Sequence, residues 1–129
     1  MSDLPPDAAA QGLLLFAHGA RDPRWAEPFE AVAARVRAQR PELAVRLAYL
    51  EFMQPELPQA AAELVAGGCR QIDVLPLFLG AGGHVRKDLP ALMERLQAEH
   101  AGVRFTLHPA IGEMPDVIDA MAAAAARLP

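Results

Sequence analysis

Apolar positions in this chain fall into a repeating order, a short run followed by a longer amphipathic stretch. Leu13-Leu14-Leu15-Phe16-Ala17, entered from Gly12, is unbroken, the mark of a strand covered on both faces. A helix follows from Glu27 to Gln39. Phe29, Val32, Ala33 and Val36 lie on one face, Arg35 and Arg37 point elsewhere, and Pro41 stops it. Val45 to Leu50 alternates in part, as expected of a strand nearer an edge. Leu57 to Ala66 is a second helix, with Leu57, Ala60, Ala61, Leu64 and Val65 inward and Gly67-Gly68 ending it. Ile72 to Leu79 is the most apolar strand and is expected at the centre, with Pro76 forcing a bulge or an unpaired amide. A third helix is expected from Pro90 to Glu99, capped by Asp88, with Leu89, Leu92, Met93 and Leu96 inward. Val103 to Leu107 forms a short strand. A last helix from Pro115 to Leu128 should turn Val117, Ile118, Met121, Ala125 and Leu128 inward.

The order βαβαβαβα predicts an α/β fold of three layers, a four-stranded parallel sheet with helices on both faces. Right-handed crossovers favour the strand order 2-1-3-4. Residues 1–11, with Pro5 and Pro6, read as a flexible arm, and residues 12–129 as a single domain. Hydrophobic residues make up 53% of the 129 and charged residues 22%, which excludes a disordered chain. The net charge of −4 leaves no basic footprint for nucleic acid. No apolar run is long enough to span a bilayer, and no basic segment precedes the first one, so neither membrane nor secretion is expected. The single cysteine excludes a disulfide framework and a cysteine-based zinc site, and suits a cytoplasmic setting.

Ligands of open α/β sheets bind beyond the C-terminal strand ends, where the strand order reverses. Here that point lies between strands one and three. Strand one runs into His18-Gly19, and strand three into Leu79-Gly80-Ala81-Gly82-Gly83-His84. Two neutral imidazoles facing one crevice can hold a divalent ion with open positions, or share metal and proton duties. The glycines let a ligand approach the backbone closely. Glu51, directly after strand two, faces the same rim. Arg21, Arg24, Arg86 and Lys87 follow the two histidines and form a positive rim suited to a carboxylate-rich ligand. The phosphate-loop and dinucleotide glycine patterns are missing. Ser2 is the only serine, so no nucleophile stands at either strand end. His100, His108 and Cys69 read as structural.

Three segments carry a family resemblance. HGARDPRW, beginning at His18, resembles the HGSRDP signature of the small CbiX-type sirohydrochlorin chelatases, with Ala20 where the family often has serine. LEFMQPELPQAAAELVAGG is similar to their second segment. IDVLPLFLGAGGHVRKDLP is similar to their third, with its P-x-F-L-x-x-G-x-H-x-x-x-D-x-P pattern. The resemblance implies insertion of a divalent metal (cobalt, iron or nickel) into sirohydrochlorin, a tetrapyrrole bearing carboxylates, on the way to cobalamin or siroheme. The metal is then a substrate, with no permanently bound cofactor. His18 and His84 stand at the metal-binding positions, with Glu51 as carboxylate acceptor or substrate contact. Leu79 through Gly83 would floor the ring, and Arg21, Arg24 and Arg86 would meet its carboxylates. Members of this length are expected to pair as homodimers. A carrier of metal or tetrapyrrole without turnover is the alternative that these residues leave open.

Overall fold

The structure, a computed structural model, describes residues 11–80 and 82–129, and for residues 83–86 the backbone alone. The expected arm at 1–11 lies outside the described residues except for Gln11, which opens the first strand. Strands β1 (Gln11–Ala17), β2 (Ala44–Tyr49), β3 (Gln71–Pro76) and β4 (Arg104–Leu107) alternate with helices α1 (Glu27–Gln39), α2 (Leu57–Ala66), α3 (Gly83–Glu99) and α4 (Pro115–Ala126). The sheet is parallel throughout, in the order β2-β1-β3-β4. The expected topology therefore holds, with β3 central and β2 at an edge.

Alternate residues of each strand feed opposite faces, as the pleat requires. Leu14, Phe16, Ile72 and Val74 form one face with Leu57, Ala60, Ala61 and Leu64 of α2 and Leu89, Met93 and Leu96 of α3. Leu15, Ala17 and Val45 form the other with Ala33 of α1, and Phe29 and Val36 pack beside them.

Three elements differ from expectation. Strand β3 ends at Pro76, which pairs with Phe16 as its last rung, so the missing amide costs the sheet no interior hydrogen bond. Helix α3 begins seven residues before Pro90, with Gly82 rather than Asp88 at its N-cap. Pro90 is exposed, so the bond it removes lies on the wet side of the helix, where water can replace it. As a result His84 sits in the first turn of α3, not in a loop before it. The third difference is α4. It forms where its pattern predicts, but none of its residues is buried. Ile118, Met121 and Leu128, expected inward, are 49%, 42% and 74% exposed, and Ala125 is exposed too.

Candidate active site

Parallel register sets the ends of β1, β2 and β3 level with one another. The strands finish at Ala17, Tyr49 and Pro76, and the pairing continues briefly beyond them. The Leu50 amide donates to the Ala17 carbonyl (2.9 Å), the Glu51 amide to the His18 carbonyl (3.0 Å), and the Leu77 amide to the Phe16 carbonyl (2.7 Å). Sheet bonding thus runs into the rim and fixes the backbone that carries His18 and Glu51.

Two glycines allow the loops to close this tightly. Gly19 has φ +90°, and a Cβ there would lie 1.8 Å from the Glu51 carbonyl oxygen. A Cβ on Gly112 would lie 2.1 Å from the Leu79 carbonyl oxygen, and the Gly112 amide donates to the Phe78 carbonyl (2.9 Å). The first glycine locks the β1 and β2 ends together, and the second locks the short turn after β4 under the β3 end.

His18 is exposed, and its ring lies on Phe78, with centroids 4.5 Å apart. Phe78 is 4% exposed and stacks in turn near Phe16, at 5.8 Å. A buried aromatic pair therefore supports an imidazole open to solvent. Around it stand large apolar side chains that face water: Leu50 at 40%, Phe52 at 58% and Leu79 at 73% exposure. Phe52 adopts φ 67°, an unusual conformation for a bulky residue, and the Arg21 guanidinium sits 5.0 Å from its ring centroid. Sequence reading passed over Phe52, Leu50 and Phe78. The signal for Phe78 was its place two residues after Pro76, and the signal for the other two was apolar residues directly beyond a strand.

The rim brings His18, Glu51, Arg21, Leu79 and Gly80 to one end of the sheet, and Gly82 caps α3 beside them. Glu51 and Gly80 are exposed. Arg24 is committed to another partner. Its side chain pairs with Asp22 at 3.1 Å, and the neighbouring guanidinium holds the Asp22 carboxyl below its ordinary value. Ala81 lies outside the described residues. His84 and Arg86 are placed in the first turn of α3 by their backbone alone. A cavity of about 360 Å³ opens beside Ala20, Arg21, Phe52 and Tyr49. Burial, and then the Glu30 carboxylate, push the Tyr49 phenol above its ordinary value. His100 packs by Phe105 at 6.0 Å, and Cys69 is buried with its thiol pushed up by that burial, both in keeping with structural roles. His108 pairs with Asp73 at 2.8 Å, well away from the rim. Among the described residues no three His, Cys, Asp or Glu side chains converge as a closed metal site, and no helix is long and apolar enough to cross a membrane.

A four-stranded parallel sheet with a strand-order reversal beneath an exposed imidazole places the chain among the open-sheet α/β domains. The chain belongs to the CbiX family, whose model matches residues 12–128. It is similar to a sirohydrochlorin cobaltochelatase of Methanococcus aeolicus, with 29% identity over 69% of this chain and 62% of that one. The chain spans less than two thirds of the first curated relatives it matches, at 62%, 63% and 64% of their lengths. Among solved structures it resembles a cobalamin-biosynthesis CbiX protein of Marinobacter aquaeolei, with TM-score 0.78 and 39% identity over 90% of this chain and 94% of that one. It also shares the fold of the sirohydrochlorin chelatase SirB of Bacillus subtilis subspecies spizizenii, solved in complex with cobalt. There the TM-score is 0.77 and the identity 22%, over 92% of this chain and 50% of that one.

Proposed function

We propose that this chain is a sirohydrochlorin chelatase, inserting a divalent metal into the tetrapyrrole, with cobalt as the first candidate and iron and nickel behind it. The observation that carries the reading is His18, held in the open on Phe78 at the strand-order reversal, in a chain belonging to the CbiX family. Curated relatives named as cobaltochelatases support the choice of cobalt.

The net reaction takes a free tetrapyrrole and M²⁺ to the metallated ring and two protons. The metal must shed water, meet the ring face and displace two pyrrole protons. His18 supplies an exposed nitrogen ligand and proton acceptor, and His84 the second ligand from the first turn of α3. So sparse a set suits an ion that must leave, since a closed four-ligand site would retain it. Glu51 receives a proton or positions the ring. Leu79, Gly80, Gly82 and Gly83, with Leu50 and Phe52, offer an apolar seat for a flat macrocycle. Arg21, and Arg86 from its position in the first turn of α3, are the groups assigned to its carboxylates, which guanidinium binds in bidentate fashion. Arg24, committed to Asp22, is the weakest member of that rim. The metal is substrate, the enzyme works in the cytoplasm as a homodimer, and the product feeds cobalamin or siroheme synthesis.

The test is anaerobic Co²⁺ insertion into excess sirohydrochlorin, followed by absorbance. Wild type should turn over many times, and His18→Ala and His84→Ala should each lose about 100-fold or more in kcat/KM. Stoichiometric metal or tetrapyrrole binding with no rate above the spontaneous one, for Co²⁺, Fe²⁺ and Ni²⁺ alike, would replace the enzyme by a carrier.

A further inference from the structure

Arg21 and Arg24 stand close together at the rim and are held in different ways. Arg24 is neutralised by Asp22. Arg21 is exposed and forms no hydrogen bond or ion pair among the described residues, and its guanidinium sits over the Phe52 ring instead. An aromatic face attracts a guanidinium without neutralising it and without consuming its N–H groups. The backbone on both sides of this contact is fixed. Gly19, just before Arg21, is pressed against the Glu51 carbonyl oxygen, and Asp22, just after it, caps the short turn Pro23–Ala26. Opposite, the Tyr49 amide donates to the Pro55 carbonyl (2.9 Å) and closes the loop that carries Phe52.

Phe52 suits its position poorly by the ordinary rules. Its φ of 67° lies where bulky side chains are rare, and more than half of the side chain faces water, so neither the backbone nor the core gains from a phenyl ring there. Glycine would remove the strain. Strained residues persist where the surroundings impose them, and they cluster at ligand sites. Here the ring covers the one cation of the β1 end that no carboxylate neutralises, although Asp22 is adjacent in sequence and Glu30 lines the same cavity of about 360 Å³ as Arg21 and Phe52. The ring face competes with those carboxylates for Arg21 and leaves the guanidinium charged, unpaired and beside open space.

We infer that Phe52 is a positioning residue, whose ring face holds the Arg21 guanidinium in place for a carboxylate of the substrate. The inference rests on the chelatase reading for the identity of that substrate, and goes beyond an apolar seat, which leucine would furnish as well. The test is equilibrium binding of sirohydrochlorin without metal, followed by its absorbance. Phe52→Leu should weaken binding about 3- to 5-fold, and Phe52→Tyr and Phe52→Trp, which keep a ring face, should recover most of that loss. In Co²⁺ insertion the Phe52→Leu loss should fall on KM rather than kcat. Arg21→Gln should weaken binding about 10-fold, and Phe52→Leu added to it should cost nothing further. Phe52→Gly should raise Tm by about 2 °C while losing at least as much affinity as Phe52→Leu. Full affinity in Phe52→Leu, the same loss with and without Arg21, or a lower Tm in Phe52→Gly would each overturn the inference and leave the chelatase reading intact. Binding without turnover would replace the enzyme by a carrier and leave the inference standing, whereas a wild-type chain that neither binds nor metallates sirohydrochlorin would overturn both.

Discussion

The two faces of the sheet are built from the same four strands, yet they end differently. One is closed by α2 and α3, and Leu14, Ile72, Val74, Leu64 and Leu96 are all 2% exposed or less. Among the described residues the other is closed only where α1 crosses β1 and β2. Towards β3 and β4 it opens, leaving Leu13 and Leu75 half-buried. On the closed face each strand residue meets a helix whose own stripe is matched to it within the chain. On the open face no described helix covers Leu13 and Leu75, and the apolar Ile118 and Met121 of α4 are exposed elsewhere. Amphipathicity states that a helix must be covered, and leaves open what covers it.

The largest expected effect compares a leucine from each face. Leu64→Ala on the closed face removes a side chain that is 2% exposed and should cost about 3 kcal/mol in urea unfolding. Leu75→Ala on the open face should cost about 1 kcal/mol, because water fills the space. Equal costs for the two leucines would show that the open face is covered.

These elements also show what a linear pattern conveys. Strand order, the span of α1 from Glu27 to Gln39 and that of α2 from Leu57 to Ala66 were legible, since each rests on local periodicity with clear stops. The start of α3 was not. Pro90 imitates a first-turn proline, and only the tertiary placement of its exposed side shows that the helix runs through it. At the site, His18 and Glu51 were legible as residues directly following strands. Phe78 was not, because its support of His18 depends on two strand ends meeting side by side. The left-handed conformation of Phe52, as distinct from its apolar character, had no sequence signal, since it is neither glycine nor asparagine. The inward assignment of Ile118, Met121 and Leu128 failed because periodicity finds an apolar face and does not say what, if anything, covers it.

A smaller effect separates the faces through their polar groups. Asp73 and His108 pair at 2.8 Å on the open side, with side chains 49% and 39% exposed. So exposed a pair is worth little, and Asp73→Ala should cost about 0.5 kcal/mol in urea unfolding. A cost of about 2 kcal/mol or more would show that the pair is shielded from water.

The smallest effect is silent at neutral pH. Cys69 belongs to the closed face and Tyr49 to the face covered by α1, and burial raises both above their ordinary values of 9.0 and 10.0, with Glu30 adding to the shift on Tyr49. A raised group binds its proton more tightly in the folded chain than in the unfolded one. Its contribution is therefore complete below the unfolded value and is lost as pH rises towards the folded one. Thermal melts should give a Tm insensitive to these groups through neutrality and falling once pH passes about 9, where the unfolded thiol ionises first. Tyr49→Phe should flatten the later part of that fall, and Cys69→Ala the earlier part. An identical alkaline decline in both variants and wild type would assign the loss to other groups. A fall removed only by Cys69→Ala would mark the closed face as the one that excludes charge more strongly.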